Sequence, residues 1–164
     1  MLIIKSIEDV ESNAFKGFFC GNDELDTYLK EFARQNHKKG IGKSFVALAE
    51  DRVIGYFTIS MGWVEFVEIP NDYNRGIPKY PAPVARIGRL AVDTQFQGKK
   101  IGTALLIDSL KKILEASKTI AAYAVVVDAK NDSVKRFYNG FGFITYKGDL
   151  SLFLPMKTVT KLLK

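Results

Sequence analysis

The chain has 164 residues, 47% apolar and 26% charged, with 24 Lys+Arg against 18 Asp+Glu and a formal charge of +6. That length fits one ordinary domain, 1–164, able to bury about two-thirds of its unfolded surface, and the composition excludes a disordered or low-complexity chain. The charge is lopsided: residues 1–83 hold 10 Lys+Arg and 12 Asp+Glu, whereas residues 84–164 hold 14 and 6, which suggests a phosphate-bearing cofactor, a nucleic acid or an acidic membrane as partner.

Leu2–Ile7 reads as a short strand. Gly21-Asn22-Asp23 offers a helix start, and Leu25, Tyr28, Leu29, Phe32 and Ala33 recur at helical spacing, with a stop near Gly40. Ser44–Ala49 and Val53–Ser60 flank Glu50-Asp51-Arg52 as an expected antiparallel hairpin. Residues 65–83 hold four of the five prolines and read as a long loop. Val84–Asp93 follows as a strand, Gly98–Ala116 as an amphipathic helix, and Ala122–Asp128 as a strand buried on both faces. Asn131–Gly140 is expected to be a short helix, with Phe143–Tyr146 and Leu150–Leu154 as a closing pair of strands. The alternation defines an α/β fold with a mixed sheet covered by helices.

Cys20 is the only cysteine and His37 the only histidine, so neither a disulfide nor a metal site is expected. The N-terminus lacks the pattern of a signal peptide, and no stretch approaches the roughly 20 apolar residues of a membrane span, so a soluble cytoplasmic protein is expected. Two glycine clusters suggest phosphate loops. His37-Lys38-Lys39-Gly40-Ile41-Gly42-Lys43-Ser44 ends like a Walker A motif but lacks its first glycine and follows a helix, so it reads as a helix stop and a turn. Gln97-Gly98-Lys99-Lys100-Ile101-Gly102 lies between a strand and a long helix, where unpaired N–H groups and the helix dipole favour an anion.

That second cluster, preceded by Arg89-Leu90-Ala91-Val92-Asp93 and followed by the Asn131…Phe137-Tyr138…Gly142-Phe143 block, resembles the GNAT N-acetyltransferases over roughly residues 86–146. The resemblance implies the GNAT fold, a central mixed, mostly antiparallel sheet of six or seven strands with helices on both faces. It implies acetyl-CoA as cofactor, held by Leu90, Ala91, Val92, Gln97, Gly98, Lys99, Lys100, Ile101, Gly102, Thr103 and Asn131. A backbone N–H near Val92 would face the developing oxyanion. Tyr138 matches the general acid for the leaving thiolate, while Phe137, Phe141 and Phe143 read as core. Lys100 departs from the family, standing where the signature has a glycine, and would be strained if the loop needs φ > 0 there. No general base is evident; Glu65, Glu68 and Asp93 are guesses.

Shorter pieces, among them Phe19-Cys20-Gly21-Asn22, Gly55-Tyr56-Phe57 and Leu152-Phe153-Leu154-Pro155, are similar to the GNAT toxins of bacterial toxin–antitoxin pairs. These imply acetylation of the α-amino group of aminoacyl-tRNA, a ribbon-helix-helix antitoxin as partner, and a homodimer. Lys38, Lys39, Lys79, Arg86 and Arg89 are then the expected tRNA contacts, with Tyr73 and Tyr80 able to stack on a terminal base. The alternatives are a GNAT enzyme for a small amine or a protein N-terminus, and a non-catalytic module binding coenzyme A or nucleic acid.

Overall fold

A computed structural model describes residues 2–164. It contains a seven-stranded mixed sheet in the order β1-β2-β3-β4-β5-β7-β6. The strands are β1 (Ile3–Ser6), β2 (Lys43–Ala49), β3 (Arg52–Val64), β4 (Ala82–Val92), β5 (Ala124–Asp128), β6 (Ile144–Thr145) and β7 (Ser151–Pro155). The helices are α1 (Asp23–Thr27), α2 (Ala33–Lys39), α3 (Ile101–Ala116), α4 (Asp132–Asn139) and α5 (Met156–Leu162). The expected elements are all present, with ends moved by a few residues; α5 and the single 3-10 turns between Ile7 and Phe15 were not foreseen. Among the described residues no helix is long and apolar enough to cross a membrane.

Contacts divide the chain into two compact units, 1–60 with 88–109, and 61–87 with 110–164. In the first, β2 pairs antiparallel with β1 and β3, as the hairpin reading requires. Ile7, Phe15, Phe18, Leu29, Val46, Val53, Tyr56 and Ala91 form one apolar cluster, and Ala47, Ile54, Phe57 and Leu105 a second. Gly55 lies between β4 and α3. A Cβ there would stand 2.9 Å from Leu105 Cδ1 and 3.1 Å from the Ala91 carbonyl oxygen, so glycine is needed for that approach.

In the second unit β5 is buried along Ala124–Val127, as its continuous apolar run predicts, because β4 flanks it in parallel and β7 antiparallel. Val64, Ile69, Ala82, Val84, Val126 and Phe153 make its core, and the proline-rich segment is tied down by Ile69, Tyr73 and Ile77. The β4–β5 register runs from Val84↔Ala124 to Ile87↔Val127 and stops there. Among the described residues, Gly88 to Val92 are the part of β4 beyond that register.

The Walker-like segment is confirmed as a helix stop. Gly40 caps α2 at φ +74, and the buried His37 is a structural residue. The Ser44 N–H donates to its Nδ1 at 2.9 Å, which leaves the neutral ring's proton on Nε2, 3.4 Å from Ser6 Oγ. Burial, with Lys43 nearby, pushes its pKa down. The fold thus favours the neutral ring, whereas the unfolded chain takes up a proton near about 6.5. This stabilisation is present above that pH and is lost as the pH falls through the lowered folded value. Thermal melts should show a midpoint that drops between about pH 7 and 5, with a shallower drop in His37→Gln.

Candidate active site

The β4 exit and the start of α3 are built almost entirely from backbone. Ala91 is buried in the first core cluster, and Leu90 and Val92 pack against the second, so these predicted cofactor residues can offer only main-chain groups. The same holds for Ile101. Beyond Val92, the Asp93 N–H is committed to the Ile54 carbonyl at 2.8 Å and is not a free oxyanion donor. The amides of Gly88–Val92 lie beyond the β5 register, which suits an extended ligand carrying amides of its own.

The loop closes through the side chain of Gln97, which leaves that residue its main chain for a ligand. Its side-chain Nε2 donates to the Val92 carbonyl at 2.8 Å and to the Cys20 carbonyl at 3.2 Å, so that side chain shapes the loop rather than reaching for a ligand. Gly98 at φ +79 and Lys100 at φ +64 are both left-handed. Lys100 starts α3, its carbonyl accepting from the Ala104 N–H at 3.1 Å. The N–H groups of Ile101, Gly102 and Thr103 therefore have no helical acceptor and lie at the positive end of a 16-residue helix. Lys99 and Lys100 are exposed, Lys99 with its Nζ 5.4 Å from the Phe96 ring centroid. Backbone donors plus two cations fit a pyrophosphate.

The strain foreseen at Lys100 is present. A side chain in the left-handed region costs about 1–2 kcal/mol, while a glycine there gives back about 0.5–1 kcal/mol in unfolded-state entropy. Lys100→Gly should therefore raise the melting temperature by about 2 °C. A melting temperature that falls would show that the lysine stabilises the loop in the free protein.

Asn131 and Tyr138 stand on α4. The Asn131 side chain caps the helix, accepting from the Val134 N–H at 2.9 Å, so its carbonyl oxygen is already used. Tyr138 is 5% exposed and packs edge-on against Phe137 at 5.2 Å and Phe143 at 5.3 Å. Phe143 is core as expected, whereas Phe137 and Phe141 are only half-buried in the same aromatic group. Burial pushes the Tyr138 phenol far above its ordinary pKa, so it stays protonated. Among the described residues its hydroxyl has no hydrogen-bond partner.

Two of the three guessed bases, Asp93 and Glu68, are engaged by hydrogen bonds. Asp93 is 1% exposed and accepts from the Phe19 N–H (3.1 Å), the Gln95 N–H (2.9 Å) and Arg52 Nη2 (2.9 Å), which makes it a structural knot. Glu68, the last residue of the 3-10 turn Phe66–Glu68, accepts from the N–H of the preceding Glu65 at 2.9 Å, and Glu65 itself is exposed. Cys20 is inert: burial and Asp26 push its thiol up to about 11. No group of three or more potential metal ligands exists among the described residues.

The expected tRNA contacts separate into two kinds. Lys38, Lys39 and Lys79 are exposed. Arg86 is not free: its Nη1 bonds Asp128 at 3.2 Å, and Asp128 also accepts from Ser151 Oγ at 2.9 Å. Arg89 lies with its guanidinium carbon 3.5 Å from the Tyr28 ring centroid. Tyr73 packs on Phe153 and its carbonyl accepts from the Tyr123 hydroxyl, a turn-packing role, whereas Tyr80 is exposed. Phe32, one of the apolar residues at helical spacing, is exposed.

A strand end beyond the β5 register, two left-handed residues and a cationic helix start are the elements of an acyl-CoA site. Residues 5–143 match the family model described as acetyltransferase (GNAT) family, and the chain belongs to that family. It is similar to a tRNA-acetylating toxin of Mycobacterium tuberculosis, with 34% identity over 98% of this chain and 93% of that one. Among solved structures it resembles a Tyr→Phe variant of KacT, with TM-score 0.92, 32% identity and 98% of each chain covered. It also resembles AtaT complexed with acetyl-methionyl-tRNAfMet, with TM-score 0.88, 25% identity and 100% of each chain covered. A Tyr→Phe variant of AtaT, bound to the C-terminus of the antitoxin AtaR and acetyl-CoA, matches with TM-score 0.83, 25% identity and coverage of 99% and 98%.

Proposed function

We propose that this chain transfers acetyl from acetyl-CoA to the α-amino group of aminoacyl-tRNA, as the toxin of a toxin–antitoxin pair. The observation that carries the reading is the cationic, glycine-bearing entrance to α3, in a chain similar along 98% of its length to a tRNA-acetylating toxin. The family match runs through both compact units, which supports reading 1–164 as one acetyltransferase domain. The protein would work in the cytoplasm as a homodimer, restrained by a ribbon-helix-helix antitoxin.

Acetyl-CoA supplies a thioester whose carbonyl an amine can attack. The N–H groups of Ile101, Gly102 and Thr103, with Lys99 and Lys100, would hold the pyrophosphate. The Gly88–Val92 backbone would align the pantetheine arm, with the Val92 N–H as oxyanion donor. Tyr138 holds a proton at Oη and would donate it toward the departing sulfur. Since that phenol is far less acidic than a thiol near 8.5, Tyr138 acts by hydrogen-bond donation as the bond breaks, not by prior proton release. With the Asp93 and Glu68 carboxylates engaged elsewhere, the amine would lose its proton to water.

Transfer to charged tRNA should weaken steeply as salt rises, because phosphate contacts release counterions. Deacylated tRNA should accept nothing. Salt-insensitive turnover on a small amine, with none on charged tRNA, would point to the small-amine enzyme instead.

A further inference from the structure

Tyr28–Phe32 form a single π-helical turn between α1 and α2. The Ala33 N–H donates to the Tyr28 carbonyl, five residues back, and Phe32 departs from helical geometry at φ −122. The extra residue moves Phe32 off the face that buries Tyr28 and Leu29, leaving it 45% exposed. Its ring stacks with Tyr28 at 6.5 Å between centroids and 27° between planes, and the Arg89 guanidinium covers the Tyr28 ring. Lys30, Glu31 and Gln35 beside it are exposed, as are Lys38 and Lys39 farther along α2.

An exposed flat aromatic stacked on Tyr28 and flanked by polar and cationic residues suits a protein interface poorly, whose centre is contiguous and apolar. It suits a nucleic-acid base: every base has a π-face for an aromatic ring or a guanidinium, and its phosphates find the lysines. π-turns also recur at functional sites because they displace one side chain from the helical pattern.

We propose that Phe32, backed by Tyr28 and Arg89, is the platform on which an unpaired base at the 3′ end of the tRNA acceptor strand stacks, with Lys38 and Lys39 serving adjacent phosphates. This rests on the aminoacyl-tRNA reading above. Steady-state acetylation of charged tRNA by wild type, Phe32→Ala and Phe32→Trp tests it. Phe32→Ala should raise KM for charged tRNA about tenfold or more, by the energy of one stacked base, with kcat, acetyl-CoA affinity and melting temperature unchanged. Phe32→Trp should restore KM, and sedimentation should show one oligomeric state throughout. An unchanged KM in Phe32→Ala overturns the proposal, as does equal loss in both variants or a shift in oligomeric state, which would mark an interface between copies. A wild-type protein that acetylates no charged tRNA overturns the reading beneath it and this proposal together.

Discussion

Replacing Tyr138 by phenylalanine is expected to lower acetyl transfer at saturating substrates by about a hundredfold or more, the range for a positioned general acid. The substitution removes one oxygen and leaves the ring packed on Phe137 and Phe143. That hydroxyl has no partner among the described residues, so no internal hydrogen bond is lost and the melting temperature should stay within a degree or two. Acetyl-CoA affinity, measured by calorimetry, should also hold. Because burial keeps the phenol protonated far into alkali, any alkaline fall in activity below about pH 10 would come from another group. Wild-type turnover in Tyr138→Phe would remove Tyr138 from the mechanism.

Asp93→Ala should instead unfold the protein more easily, by about 3–5 kcal/mol. Its carboxylate holds the Phe19 and Gln95 N–H groups and Arg52, and the Thr94 N–H next to it bonds the Phe19 carbonyl at 2.8 Å. Two backbone donors would lose their acceptor at the point where β4 enters the loop. Arg52 is 40% exposed and can turn to water, so it adds little to the loss. A drop of roughly 10 °C in melting temperature follows from the size of the chain. Asp93→Asn should fall between, because it keeps the shape and one acceptor. If Asp93 were the general base, Asp93→Asn would abolish turnover at unchanged stability, so the two readouts separate the roles.

Much of the fold was legible because each element carries its own periodicity or breaker. The apolar run Ala122–Asp128 reads as a strand buried on both faces, and Ala124–Val127 are buried, while Gly40 stops α2 with the left-handed cap that its identity suggests. The α3 entrance was legible for the same reason: glycine, lysine and a strand-to-helix junction sit within six residues. What was not legible depended on partners distant in sequence. The Gln97 side chain closes the loop on Cys20, 77 residues away. Arg86 looked free, yet Asp128 on the neighbouring strand takes it. Phe32 recurs at helical spacing with Tyr28 and Leu29, yet one π-turn leaves it exposed. Lys100 was read correctly as a risk, since a non-glycine residue at a glycine position keeps the φ that the loop demands.

The central claim is that the acceptor is the α-amino group of aminoacyl-tRNA. Incubating the purified protein with labelled acetyl-CoA and a full set of charged tRNAs, then hydrolysing the ester and identifying the released amino acids by mass spectrometry, tests it most directly. The expected result is N-acetylated amino acid from at least one charged tRNA, none from deacylated tRNA, and a strong loss in Tyr138→Phe. Label on no charged tRNA, from a protein that binds acetyl-CoA normally, would contradict it.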